Sequence, residues 1–551
     1  MPHRYLLALP RGDGVYLSWR LLDSDTSDAA FTVERRGANG NWEAVSLEPL
    51  TGSTDFQDRP PADGIWAYRI RSGDTVSEDV SVDSGAEPTL AVLDVPLAVP
   101  GKSCWHLAPG DLLNDGRTGF VTSVAAEGQI HLDAYGPDGR HLWRHALGYP
   151  TTLLMDTTTP PYAVWDVNGD GRSEVVVRCQ VGDRFKDEIT HAAEVSPGTM
   201  SRWEGQRWAP PPRGEVLKAL DGETGEEVWS APYPGQVYES HLTLAFIDGF
   251  DQPPAIMIQD GWCYGPTHLY AVDGKDGHVR WHIRQERHTG HNLDAGDVDG
   301  DGHQEIIAGG LCWKGDGTLL WEAEPFGHTD ISKPAKIDPE RPGLQVYFAV
   351  EAGNPGVYCV DGPTGETIFK EPYRHAHYGW IGRHHSQTPG LHPHTAEDAR
   401  AEYGDSTFMR EKEHNPVFAP DGSHLQNLSE WQRKCFVPVH WDGGPNTAFV
   451  DRKTNTLHRF NDDGTNEPFE IQGLPSGARF GRNLLAYDVA GDYRENIVTI
   501  DDERDRLLVL ANPTPNPRRA RSPLGDLGYR HDRSQTGSGY YIYLAPPLRW
   551  V

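Results

Sequence analysis

The sequence predicts an all-β protein: a β-propeller of eight blades, with seven as the alternative, over residues 86–551, behind a small β-sandwich over residues 1–85. Three observations lead there. A β hairpin with a D-G or T-G turn recurs along most of the chain, and acidic glycine loops between the hairpins run straight into β-branched stretches. The composition is rich in turn formers, with 60 glycines and 43 prolines, and lacks any long helical period. At 551 residues the chain exceeds one ordinary core, which calls for several domains or a repeat.

The N-terminal stretch alternates apolar and polar residues in Val15-Tyr16-Leu17-Ser18-Trp19, Phe31-Thr32-Val33-Glu34-Arg35 and Trp66-Ala67-Tyr68-Arg69-Ile70, as half-buried strands do. The pattern resembles a fibronectin type III module, whose expected task here is packing or spacing.

From about residue 100 the hairpin repeats. Its copies are Ala134-Tyr135 to Asp138-Gly139 to Trp143, Ala219-Leu220-Asp221 to Thr224-Gly225 to Trp229, Ala271-Val272-Asp273 to Asp276-Gly277 to Trp281, and Trp313 to Asp316-Gly317 to Trp321. Cys359-Val360-Asp361 to Thr364-Gly365 to Phe369, and Arg459-Phe460 to Asp463-Gly464, are weaker copies. The turns reverse the chain tightly, and the aromatic is expected to cover the neighbouring sheet. Two insertions interrupt the pattern, a polar one over 182–213 and one rich in charge, proline and histidine over 386–433. Long loops on a rigid scaffold often border a site, although a plain surface loop fits them as well.

Between the hairpins lie the acidic loops. Asp297-Val298-Asp299-Gly300-Asp301-Gly302 with Glu305 is echoed by Asp166-Val167-Asn168-Gly169-Asp170-Gly171 with Glu174. Oxygens at alternate positions around a glycine turn suit Ca2+, which takes six to eight oxygen ligands. A helix-loop-helix calcium hand needs its bidentate acid at the twelfth loop position, where Ala308 and Val177 stand, so these loops feed strands rather than helices. Asp111 to Asn114-Asp115-Gly116, Asp338-Pro339-Glu340, and Asp488 to Asp492 with Glu495 are degraded members. The expected metal ligands are Asp166, Asn168, Asp170, Glu174, Asp297, Asp299, Asp301, Glu305, Asp488, Asp492 and Glu495, with a structural staple as the expected role.

A formal net charge of −30 excludes a nucleic-acid partner, which requires a basic face. No run approaches a membrane span, so no membrane partner is expected. Cys104, Cys179, Cys263, Cys312, Cys359 and Cys435 are scattered without paired spacing, which fits buried thiols. A cytoplasmic location follows if Met1 is native, and a secreted or periplasmic one if a signal peptide was removed.

Ahead of each acidic loop, where an innermost strand would start beside a central funnel, a polar residue recurs. These are His106, His241, His291-Asn292, His328 with Asp330, and Arg482-Asn483, while Arg383-His384-His385 occupies the remaining interval. A lone histidine among 25 is usually an ordinary hydrogen-bonded residue; the equivalent placement singles these out. A zinc cluster from the same histidines lacks short ligand spacing.

The run Gly12 to Arg20, the loop Asp166 to Glu174, His291-Asn292-Leu293 with the Asp297 loop, Gly327-His328-Thr329-Asp330, and Asp338 to Leu344 follow one another in a known order. Gly491-Asp492-Tyr493-Arg494-Glu495 and Tyr529-Arg530 to Tyr540-Tyr541 continue it. In these motifs the chain resembles the rhamnogalacturonan lyases of polysaccharide lyase family eleven over nearly its whole length. The resemblance implies an eight-bladed calcium-binding propeller and β-elimination at a rhamnose to uronate linkage. Its partner would be an acidic rhamnose-containing polysaccharide or oligosaccharide.

Such a reaction needs carboxylate neutralisation, a base and an acid. His241 or His291 is the expected base, Arg383 or Arg482 the carboxylate clamp, and Tyr264 or Tyr378 the acid, with His106, His328, His384 and Asn483 contacting substrate. One stretch departs from the family: its Arg-Gly-Tyr-Tyr-Thr-Arg reads here Gln259-Asp260-Gly261-Trp262-Cys263-Tyr264-Gly265, and its preceding Arg-Phe is replaced by about Ser240-His241. Fewer basic groups leave a rhamnose to glucuronate link, of ulvan or gum arabic type, as the alternative substrate.

Two other functions fit parts of the pattern. Ala219-Leu220-Asp221-Gly222-Glu223-Thr224-Gly225 to Trp229 fits the tryptophan docking motif of quinoprotein dehydrogenases, although an adjacent cysteine pair is lacking. A non-enzymatic calcium-binding adhesion propeller explains the loops but not the histidines and arginines ahead of them.

Overall fold

The computed structural model describes residues 4–38, 40–97, 102–150, 160–180, 215–235, 240–260, 266–287, 289–324, 327–373, 376–397, 416–427, 436–452, 454–461, 465–471, 473–481, 484–501 and 505–536. Within them the chain is almost entirely β structure, as expected. Eight four-stranded antiparallel sheets follow one another, the first seven with their strands in sequence order. They span 102–150, 162–232, 240–285, 294–322, 328–372, 376–427 and 436–470, and are numbered one to seven in that order. Sheet eight consists of Leu484–Tyr487, Asn496–Asp501, Arg506–Leu510 and, as its fourth strand, Ala91–Pro96 from the front of the chain.

Packing between sheets explains the order. One apolar cluster fills each gap, from Val121 and Ile130 against Tyr162 and Val175 between sheets one and two, to Phe120 and Tyr135 against Val498 and Val509 between sheets eight and one. The six gaps between have their own clusters. Each buried Val, Leu, Ile or Phe contributes about 1.5–3 kcal/mol. The repeated hairpin aromatic joins consecutive sheets: Trp143, Trp229, Trp281 and Trp321 donate their indole N–H to the carbonyls of Gly222, Gly274, Gly315 and Gly362, at 2.6–2.9 Å. Gly225 shows why the turn is glycine. Its φ is +70°, and a Cβ there would lie 2.7 Å from the Trp143 ring.

The sequence reading of 386–433 as an insertion is corrected. His392–Glu397, Pro416–Phe418 and His424–Asn427 are the second, third and fourth strands of sheet six. Their proline and histidine content hid the β alternation. The first insertion, 182–213, lies outside the described residues.

The N-terminal region forms two small sheets over a core of Val15, Leu17, Trp19, Phe31, Val33 and Tyr68. Its Arg20 reaches into sheet eight, where the guanidinium meets Asp488 at 2.9 Å. Helix α1 (Leu527–Ser534) is the element the sequence reading missed. Asp526 caps it, accepting from Tyr529 N at 3.2 Å. From its side chains and the two residues after it, bonds run to Leu107 of sheet one, Leu244 of sheet three, Lys333 of sheet five and Glu495 beside sheet eight. One helix is thereby tied to the first strands of several sheets. Cys179, Cys312 and Cys359 are buried free thiols.

Candidate functional site

Histidines gather where three first strands begin. His241 lies in Ser240–Ala245 of sheet three, His291 just ahead of Asp294–Gly296 of sheet four, and His328 opens His328–Ala335 of sheet five. The His241 and His291 rings lie 6.4 Å apart and those of His291 and His328 4.5 Å apart, each pair edge to face. All three are buried.

Two carboxylates join them. Glu351 Oε2 lies 3.1 Å from His328 Nε2, and Asp330 Oδ1 lies 3.5 Å from His328 Nε2 and 3.9 Å from His291 Nε2. His291, His328, Asp330 and Glu351 each offer one atom to a common space under 4.8 Å across. The reason lies in strand register. Where His328–Ala335 pairs with Gln345–Ala352, the pairing steps over Glu351 on one strand and Asp330 on the other. Such irregularities re-aim side chains out of the ladder.

The loop carrying His291 is fixed to the same place. Gly290, at φ +84°, passes so close to Thr329 that a Cβ would lie 2.1 Å from its carbonyl oxygen. His291 N donates to Thr329 O at 2.8 Å, Asn292 Nδ2 to Asp330 O at 3.1 Å, and Gln259 Nε2 to Gly290 O at 2.8 Å. Burial, with His328 adding to it, pushes the His241 imidazole down to about 3, so it is neutral at pH 7. Its Nε2 has no hydrogen-bond partner among the described residues. Behind it Arg178 donates to Ser240 Oγ at 2.9 Å, while its charge is taken up by Glu215 at 2.8 Å.

Other candidates lie elsewhere. His106, in the first strand of sheet one, is buried beside Thr536, and desolvation takes it down to about 4. Arg383 and His384 are corrected: they follow Ala376–Gly382, at the far end of a first strand from the start that His241 and His328 mark. There Arg383 N donates to Thr447 Oγ1 at 2.9 Å, and His384 stacks on Phe449 of sheet seven at 5.0 Å. The misplacement arose because sheet six begins earlier than the repeat spacing suggested. Tyr264, Arg482 and Asn483 lie outside the described residues, as does the side chain of Tyr378.

The two strong acidic loops sit at the other end of the first strands. Asp297 accepts from Gly300 N and Gly302 N at 2.8 and 3.1 Å, and Glu305 from Val298 N at 2.9 Å. Asp297, Asp299 and Glu305 converge on one space. Burial, together with Asp299, Asp301 and Asp297, drives Glu305 up to about 8. In the sister loop Glu174 accepts from Val167 N at 3.0 Å and is driven up to about 7, mainly by burial. Asp166 accepts there from Gly169 N at 2.7 Å, and Asn168 and Asp170 lie beside it. Carboxylates crowded to that degree fit a hard divalent cation.

The third loop does not. Asp488 pairs with Arg20, Asp492 with Arg494 at 2.7 Å, and Glu495 with Arg533 at 3.1 Å. Guanidinium groups thus stand against Asp488, Asp492 and Glu495, where the sequence reading expects a cation. The ninth loop position is Asn496, whose Oδ1 accepts from Val489 N at 2.7 Å as Glu305 does from Val298 N.

Sequence reasoning missed Glu351, which has no motif around it, and left Asp330 without a role beside His328. The His-x-Asp spacing of His328 and Asp330 was the available signal.

Two family models match. Residues 121–547 match "Rhamnogalacturonan lyase family 11, C-terminal domain", and residues 3–82 match "Rhamnogalacturonan I lyases beta-sheet domain". Among curated proteins, the chain is similar to the rhamnogalacturonan exolyase YesX of Bacillus subtilis (strain 168), 28% identical over 423 residues, covering 66% of this chain and 65% of that protein. It is also similar to the endolyase YesW of the same organism, 26% identical over 415 residues, covering 67% and 64%. The matches thus span just under two thirds of those relatives' lengths. The crystal structure of YesX superposes with a TM-score of 0.78 at 20% identity, covering 100% of this chain and 98% of that one. A Bacillus licheniformis rhamnogalacturonan lyase PL11 gives 0.76 at 21%, covering 100% and 96%.

Proposed function

Because the chain belongs to rhamnogalacturonan lyase family 11, we propose that it is a polysaccharide lyase that cleaves rhamnose to hexuronate linkages of rhamnogalacturonan by β-elimination. The observation that carries this reading is the meeting of His291, His328, Asp330 and Glu351 beside the neutral His241. The eight sheets are then the blades of one propeller behind a fibronectin-III-like module, and the histidines mark its mouth.

The C5 proton of a uronate is weakly acidic, and removing it requires the neighbouring carboxylate to be offset. Two imidazoles and two carboxylates are a donor set for a divalent cation. A cation held there would offset the uronate carboxylate and acidify C5–H. His241, whose Nε2 has no hydrogen-bond partner among the described residues, takes the C5 proton. The electron pair forms the C4=C5 double bond, the C4–O bond breaks, and the leaving oxygen is protonated. Tyr264 or Tyr378 serves that last step, and Arg482 with Asn483 grips the substrate. Ca2+ held in the loops at Asp166 and Asp297 would staple strands rather than take part in the reaction.

Family membership favours this over a quinoprotein dehydrogenase or an adhesion propeller. Incubation with rhamnogalacturonan, ulvan and gum arabic side by side tests it. Unsaturated uronate absorbance is expected with rhamnogalacturonan; absorbance with ulvan or gum arabic alone would move the substrate to a rhamnose to glucuronate link. No absorbance with any of them would overturn the lyase reading.

A further inference from the structure

A cavity of about 720 Å³ lies at the acidic-loop end of the sheets, away from the histidines. The N-terminal module lines it with Arg20 and Asp23, sheets one and two with Asp111, Arg117, Trp165 and Asp166, and helix α1 with Arg530. Clefts between domains are common ligand sites. Most charges in this one are already committed. Arg20 is paired with Asp488, and Arg117 with Asp115 at 2.6 Å. Asp111 turns its oxygens back to Asp115 N and Gly116 N, and Asp166 to Gly169 N and Gly171 N.

Arg530 is different. Its guanidinium lies over the Trp165 ring, 5.4 Å from the centroid, and its Nε is buried with no hydrogen-bond partner among the described residues. Trp165 is itself held edge to face by Phe246 and His531, at 5.8 and 6.1 Å. A cation over an indole face is held there by the ring's quadrupole, and the N–H fork of a guanidinium matches a carboxylate with two parallel hydrogen bonds. A desolvated donor left without a partner is unfavourable, and a ligand acceptor would relieve it.

We infer that this junction cavity is a second carbohydrate-binding site, in which Arg530, held over the Trp165 ring, receives the carboxylate of a uronate. It would hold an acidic chain at the face opposite the reacting mouth. The carboxylate receptor stands on the cavity itself, and only the choice of a uronate rests on the proposed lyase activity.

Trigalacturonate, which has no rhamnose linkage to cut, is the probe, with its fully methyl-esterified form as the uncharged control. Calorimetric titration of the full chain is expected to show trigalacturonate binding that falls at least tenfold in Arg530→Gln and in the esterified sugar. His291→Ala should retain the Arg530-dependent binding. Equal binding by the wild type and a folded Arg530→Gln, or by acid and ester, would overturn the inference. If Arg530→Gln fails to fold, crystals of the unaltered chain soaked in trigalacturonate decide it. A sugar carboxylate against Arg530 supports the site, and sugar only at the histidine mouth, or none, overturns it. The lyase reading fails separately, by absence of unsaturated product.

Discussion

Arg20 of the N-terminal module and Asp488 of sheet eight form a salt bridge at 2.9 Å, with 3% and 0% of their side chains exposed. Arg20 also donates to the carbonyls of Asp488 and Val489, at 2.7 and 2.9 Å. Removing one partner of such a pair leaves a buried charge uncompensated, so Arg20→Met should cost about 3–5 kcal/mol. Urea unfolding checks this. A loss below about 1 kcal/mol would mean that the module is not anchored there.

Between sheets, the Trp229 N–H bond to Gly274 spans 2.9 Å. Trp229→Phe should cost about 0.5–1.5 kcal/mol for the lost bond. Gly225→Ala should cost more, since it places a methyl in the Trp143 ring at a φ of +70°. Paired thermal melts rank the two, and the reverse order would contradict the packing described.

Calcium should act on stability through the loops, and a divalent cation on turnover through the histidine group. Chelation is expected to lower Tm, and added Ca2+ to restore it in proportion to RT ln(1 + [Ca2+]/Kd). Glu305→Gln should reduce that calcium dependence, because it removes one of the three converging carboxylates. A Tm unmoved by chelation would remove calcium from the loops.

His394 gives a pH prediction. It lies fully buried against Trp380 at 4.3 Å, and desolvation holds its imidazole at about 3. An unfolded histidine titrates near 6.5, so below that pH the unfolded chain binds a proton that the folded one refuses. Stability is full above about pH 6.5 and falls by about 1.4 kcal/mol per pH unit as the pH drops toward 3. His394→Phe should flatten that slope by about one proton between pH 6 and 4, read from urea midpoints. An unchanged slope would place the imidazole in contact with water.

His241→Ala should lower kcat by about 10²–10⁴, the usual contribution of a general base, with little change in KM. Glu351→Gln should instead weaken the metal dependence of turnover. Retained turnover in His241→Ala would move the base to His291.

The repeat was legible because turn chemistry and side-chain alternation are local. D-G and T-G turns, one aromatic per hairpin and a glycine loop before each β run place the sheets without any long-range knowledge. His241, His291 and His328 could be singled out because each stands a few residues ahead of a loop or strand end of the repeat. Sheet six was misread because its strands carry prolines and histidines where the other sheets carry Val and Ile, and its Arg383 consequently fell at the wrong strand end.

By itself the sequence determined the all-β class, the hairpin repeat and the two crowded carboxylate loops, since each depends on residues within about a dozen positions of one another. Only the tertiary structure decided which carboxylates face His291 and His328. Asp330 and Glu351 are brought together because the pairing of two strands steps over both, a matter of register that neither strand's own sequence records. It likewise decided that Asp488 answers to an arginine, because Arg20 arrives from 468 residues away. A carboxylate's partner is fixed by what the fold delivers to it, and the local motif around Asp488 is the same whether that partner is a calcium ion or a guanidinium.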